Sequence, residues 1–283
     1  MVRERVMIHG TGLELILNAA EGALQILITE EERLICAQQW HRPERGVEIL
    51  TPALALMCRT LGIKPTDFRR IACVRGPGSF TGIRLVLSTA ASLRRTGQAQ
   101  LAGLDYMQAL ATSVAQRRSL PYGVRIWTLT HARRNLMHCQ LFVSYGPRIP
   151  AQPLDRVELR TPQEALRYLQ ESIESQVTCV WVCGSGLVRN RSVFQSLDGM
   201  GELPLPVDSR MVALPDLTLP DNAALCLLAR HGDYLDEDVE PLYVRPCDAV
   251  ENLPQLARRM GMTGEDACAA LKARLELAPH SEI

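Results

Sequence analysis

Gly76-Pro77-Gly78-Ser79-Phe80-Thr81-Gly82 is the stretch on which the fold of this chain turns. An apolar run at 71–74 precedes it, and residues 83–93 after it have helical spacing of apolar positions. The seven residues therefore read as a strand-to-helix turn with Phe80 exposed. Three glycines allow a tight turn and a close approach of the backbone to another surface. Ser79 and Thr81 are candidate caps for the helix, whose unpaired N–H groups and positive dipole end suit an anion or a partner's carboxylate. A phosphate-cradling P-loop places Lys before its Ser or Thr, and this stretch has none, so it is not a Walker A loop.

Working outward, residues 13–17, 23–29 and 33–39 read as three short strands. They are joined by Asn18-Ala19-Ala20-Glu21-Gly22 and by the acidic turn Glu30-Glu31-Glu32, which makes a meander. A helix is predicted over 46–61, with Gly62 as its stop and Pro65 beyond; Pro52 should bend it or mark its first turn. Another strand over 100–103 and a helix over 106–117 complete the first half. After Pro121 the order begins again. Strands are expected at 124–129 and 136–144 with a third at 156–159, then a helix from 162 capped by Thr161, and a buried strand at 179–183 running into Gly184-Ser185-Gly186. Residues 198–220 are rich in Pro, Gly and Asp and read as loop, and Asp221 reads as the cap of a helix through 231. The tail has two helical patterns, 253–260 and 265–277, with Thr263 as a cap between them. The expected division is a lobe over 1–120, a second over 121–248 and a helical tail over 249–283.

Composition narrows the function classes. At 283 residues with 47% hydrophobic content, the chain can bury a core in two lobes. Lys plus Arg and Asp plus Glu both number 31, so no net charge recruits nucleic acid. Nine cysteines, of which only Cys179 and Cys183 lie near each other, fit neither a disulfide framework nor a zinc spacing; they read as reduced thiols of a cytoplasmic protein. No apolar run reaches the ~20 residues of a membrane helix. Arginine pairs recur at Arg69-Arg70, Arg94-Arg95, Arg117-Arg118, Arg133-Arg134 and Arg258-Arg259. Each suits a solvated helix end, and together they are candidates for touching phosphates. With aromatic residues at 5%, no stacking platform accompanies them.

RGPGSFTGIR, Arg75 to Arg84, resembles the signature of the TsaB/YeaZ family, the bacterial partner subunit in threonylcarbamoyl-adenosine modification of tRNA, once grouped with M22 glycoproteases. The opening hairpin, the helix over 46–61, His131-Ala132-Arg133, Cys183-Gly184-Ser185-Gly186 and Glu240-Pro241-Leu242-Tyr243-Val244-Arg245 agree at the matching places, strongly in the first half and loosely in the second. The resemblance implies an α/β, actin-like ATPase fold with two lobes of related topology. It implies a TsaD-type catalytic paralogue and a TsaE-type ATPase as partners, a homodimer when alone, tRNA contact only through the complex, and no membrane. The tail lies beyond the family pattern.

An actin-like phosphotransferase needs a carboxylate on each of two phosphate hairpins to hold magnesium or orient water. The resemblance puts Asn18 where the family has Asp on the first hairpin, and His131 where it has Asp on the second, with Arg133 keeping the pattern. These degenerate hairpins predict no intrinsic ATPase, no cofactor and no metal. Peptidase chemistry lacks HExxH, and His138 reads as a polar strand residue in water. Ser79 lacks a base for a nucleophilic role, so no catalytic residue is assigned. The readings carried forward are a non-catalytic scaffold that activates the paralogue, a diverged homodimer without it, and an ATP-dependent phosphotransferase or M22-type peptidase. The residues of the glycine turn, with Arg84, are the candidate nucleotide or partner contacts. On the helix over 46–61, Val47, Leu50, Leu54, Met57 and Leu61 form the expected core stripe. Ile49, Ala53 and Leu56 form a second apolar stripe, and with Leu85 and Leu87 of the next helix they are the predicted partner interface.

Overall fold

The computed structural model describes residues 12–41, 45–133, 135–174, 179–194 and 211–244, with isolated residues between 257 and 269. Two compact units are distinguished, Met1–Leu242 and Tyr243–Ile283. Most of the tail's predicted helical pattern lies outside the described residues. Its cap is present, since Thr263 Oγ1 accepts the Asp266 N–H at 3.1 Å.

The first unit holds two sheets built to one plan. In the first, β1 (Leu13–Asn18), β2 (Leu24–Glu30), β3 (Arg33–Trp40), β4 (Arg70–Gly76) and β5 (Gln100–Asp105) lie in the order β3-β2-β1-β4-β5. β1 pairs antiparallel with β2 and parallel with β4, and β4 pairs parallel with β5. The second sheet contains β6 (Arg125–Arg133), β7 (Leu136–Val143), β8 (Gln152–Pro153), β9 (Glu158–Arg160), β10 (Val180–Cys183) and β11 (Met211–Leu214). There β6 pairs antiparallel with β7 and parallel with β10, and β10 pairs parallel with β11. Each sheet is thus a meander continued by two parallel strands, and the two lobes have related topology.

Alternation along the strands sorts side chains into layers. Leu13, Leu15 and Leu17 join Leu50, Leu54 and Met57 of α1 (Gly46–Leu61) and Val86 and Ala90 of α2 (Phe80–Gly97) in one core. Ile16 and its register partner Leu27 turn the other way, toward α3 (Tyr106–Arg117) and α7 (Asn222–Arg230), where Ile126 and Phe142 of the second sheet also arrive. α4 (Pro162–Glu174), α5 (Ser185–Arg189) and α6 (Arg191–Phe194) pack on the remaining face of the second sheet. Each such buried Leu or Ile contributes about 2 kcal/mol. α3 fits between sheets because Ala109, Ala111 and Ala115 are small. Its buried Thr112 and Ser113 hydroxyls accept the N–H groups of Ala151 and Asp221.

Several local expectations change. α2 starts at Phe80, three residues before the apolar periodicity, because Ser79 Oγ accepts the Gly82 N–H at 3.3 Å and fixes the first turn. Thr81 is therefore inside the helix. α1 runs through Pro52, whose ring points to solvent. Within the segment read as loop, Met211–Leu214 pairs with β10, its apolar run outweighing the surrounding breakers; residues 198–210 lie outside the described residues. The third strand of the second lobe is split into β8 and β9 around Asp155, whose carboxylate accepts the Leu141 N–H at 2.8 Å. Asp221 stands at the N-cap of α7 but its carboxylate is bonded to Arg117 at 2.5 Å instead of to the helix. The cap is given up for an ion pair.

Candidate functional site

The two predicted hairpins and the two glycine turns meet. Gly76, with φ +122°, ends β4, and Pro77 after it is buried. The Ser79 N–H then donates to the Ala20 carbonyl at 2.6 Å. A Cβ on Gly82 would stand 1.9 Å from the Ala19 carbonyl oxygen, and one on Gly78 would stand 2.2 Å from that of Ala20. The glycines thus let the start of α2 rest on the backbone of the β1–β2 hairpin. The surface they approach is the chain's own.

The second lobe repeats the arrangement. Gly184 follows β10 with φ +113°, and a Cβ there would lie 2.2 Å from the Leu129 carbonyl oxygen of β6. Ser185 follows, and its hydroxyl accepts the His131 N–H at 2.9 Å and donates to the Glu21 carboxylate on the first hairpin. Glu21 and Ser185 join the lobes at this point. Burial pushes the Glu21 carboxyl up to about 7, against the opposing pull of Ser185, Arg189 and the His131 N–H. His131 is lowered, first by burial and then by Arg189, so its ring is held toward the neutral form.

Asn18 is fully buried and its amide is used on both sides. Oδ1 accepts the Ala20 N–H at 3.0 Å, and Nδ2 donates to Gln25 Oε1 at 2.7 Å. Gln25 passes the network on, donating to the Pro220 carbonyl at 3.0 Å and to Gln39 Oε1 at 3.2 Å. Asn18 therefore shapes its own turn rather than presenting a ligand. Arg133 is exposed beyond the bulge that follows His131. His138, expected in water, is 4% exposed and shares a hydrogen bond with Thr130 at 3.3 Å across the β6–β7 ladder. Among the described residues no group of three or more His, Cys, Asp or Glu side chains could hold a metal.

The outer helices sort the predicted interface residues differently. Ala53 is buried in the α1 core, whereas Val47, expected inside, is 64% exposed. Leu56 is 50% exposed, and Ile49, Leu85 and Leu87 are partly buried against the core. The period of a helix places Val47 and Leu56 at opposite rims of the exposed face, which the spacing alone did not assign. Phe80 is 41% exposed, with the Arg84 guanidinium 3.9 Å over its ring. Between α1 and α2 lies a cleft of about 330 Å³ lined by Thr51, Ala55, Ser88, Thr89, Ser92 and Leu93.

The arginine pairs are largely engaged within the chain. Arg94 and Arg95 both pair with Asp238, at 2.9 and 2.6 Å, Arg117 with Asp221 at 2.5 Å, and Arg70 with buried Glu14 at 3.5 Å. Glu14 also accepts from the Tyr234 and Thr29 hydroxyls. Glu21, Gln25 and Glu14 belong to no motif. Their only signal in the sequence is a polar residue within or beside strands that are otherwise apolar.

Residues 42–149 match the family model of TsaD, tRNA N6-adenosine threonylcarbamoyltransferase. No curated protein matches the chain in sequence. Among solved structures, YeaZ from Pseudomonas aeruginosa superposes with a TM-score of 0.63 at 18% identity, over 82% of this chain and 99% of that one. A Pseudomonas aeruginosa protein described as similar to peptidase YeaZ gives a TM-score of 0.63 at 20% identity, over 83% of this chain and all of that one. Among the described residues no helix is long and apolar enough to cross a membrane. The chain thus shares its fold with YeaZ along nearly the whole length of that protein, and residues 42–149 match the TsaD family model.

Proposed function

We propose that this chain is a non-catalytic subunit for tRNA threonylcarbamoyladenosine formation, acting by binding a TsaD-type paralogue that performs the transfer. The observation that carries the reading is Asn18: its amide is tied to Ala20 and Gln25 inside the first hairpin, so position 18 offers no charged oxygen to magnesium or an attacking water. The match of residues 42–149 to the TsaD model fits a paralogue relationship. The glycine turn serves as scaffold, setting the start of α2 on the hairpin, and the exposed parts of α1 and α2 are the surface offered to the paralogue or to a second copy. Nucleic acid is left to the partner, consistent with zero net charge and with arginines paired inside the chain.

Mixing the purified chain with a TsaD-type paralogue and following both by sedimentation tests this. The expected result is a complex that Leu56→Glu, alone or with a charge at Leu85 or Leu87, weakens about a thousandfold while the variant melts as a folded protein. An unchanged complex overturns the surface. ATP hydrolysis by the isolated chain, abolished by substituting Asn18, overturns the non-catalytic reading.

A further inference from the structure

Glu21 sits at the tip of the β1–β2 hairpin in the first lobe, and its carboxylate accepts the hydroxyl of Ser185 from the second. The same hydroxyl accepts the His131 N–H, so three segments converge on one oxygen atom. Glu21 Oε2 is shut off from solvent and has no hydrogen-bond partner, although the residue as a whole is only half-buried. A buried carboxylate with one oxygen unsatisfied is costly, and a neutral carboxyl in the same place costs much less. The Ser185 hydroxyl, Arg189 on α5 and the His131 N–H on β6 oppose the proton but are outweighed by burial, while Tyr106 on α3, itself beside Cys183, faces the group as a neutral phenol.

We propose that Glu21 is a proton-controlled latch, holding the hairpin tip against Ser185 while its carboxyl is neutral and releasing it into solvent when it ionises. On release, the proton goes to water and the carboxylate is hydrated outside the contact. The Ser185 hydroxyl keeps the His131 N–H. The Ala19 and Ala20 carbonyls on the same tip support the glycine turn, so movement of the tip loosens the first turn of α2 as well. The position of the carboxyl near neutrality puts the change inside the physiological range. The latch is independent of which partner the chain binds.

Amide hydrogen exchange of the full chain from about pH 6 to about pH 8, corrected for intrinsic rates, tests the latch alongside Glu21→Gln and Ser185→Ala. In the native chain, protection of residues 18–24 and of the first turn of α2 should fall about tenfold or more as pH rises, while α3 keeps its protection. Glu21→Gln, a permanent stand-in for the neutral carboxyl, should stay protected at both ends of the range. Ser185→Ala should be loosened at both. Protection at the tip that does not change with pH, a loss spread evenly over the whole chain, or the same fall in Glu21→Gln as in the native protein overturns the proposal.

Discussion

The two glycine turns use one device for two ends. In the first lobe Ser79 stands before the helix, caps the Gly82 N–H, and an 18-residue helix follows. In the second lobe Gly184 takes the cap position, and Ser185, one place later, turns its hydroxyl to Glu21 and His131. There α5 lasts 5 residues. Moving the serine by one position thus exchanges a helix cap for a link between lobes, because a hydroxyl inside the first turn no longer reaches its own backbone donors. Both turns keep glycine where the chain passes over a carbonyl.

The largest test of that shared device is Gly82→Val. A side chain at 1.9 Å from the Ala19 carbonyl cannot be seated without moving the hairpin, and the expected cost is at least about 4 kcal/mol, read as loss of a cooperative melt. A variant that folds normally would mean that the hairpin can move off the first turn of α2 at little cost. The next effect belongs to the link. The Glu21 carboxyl, normally at 4.5, is raised to about 7, so between these values the native state holds a proton that the unfolded chain has lost. That stability is fully present below pH 4.5 and is lost as pH rises through 7, to a total of about 3 kcal/mol. Chemical denaturation across this window should show the slope in the native chain and not in Glu21→Gln.

Ser79→Ala sharpens the comparison from the other side. It removes a cap without touching the link, so about 1 kcal/mol of stability should be lost at pH 5, where the tip is held, and less at pH 8, where the first turn is already loosened. A larger loss at pH 8 than at pH 5 would mean that the cap and the link are not coupled through the hairpin tip. Smallest in stability is Leu56→Glu, within about 0.5 kcal/mol for an exposed site, although association should fail. A large drop in melting temperature would return Leu56 to the core.

The strand and helix order was legible because periodicity, glycine stops and caps are local: α1 ends at Gly62 in the left-handed conformation, as its sequence implies. Thr161 and Glu164 likewise form the predicted start of α4 by mutual hydrogen bonds. The glycine turn was legible as a close approach, though not what it approached. Ala53 and Val47 exchanged their expected faces because two apolar stripes on one helix do not say which meets the sheet.

Local sequence was enough for the repeated order of elements and for a glycine-rich strand-to-helix turn within residues 76–82. These follow from residue type and from spacings within a few positions of one another. Long-range packing alone fixes that Gly78 and Gly82 lie on the Ala20 and Ala19 carbonyls respectively, that His138 is buried, and that Glu21 reaches Ser185. Those contacts join residues far apart in the chain, and burial, which sets the protonation of Glu21, exists only after both lobes have come together.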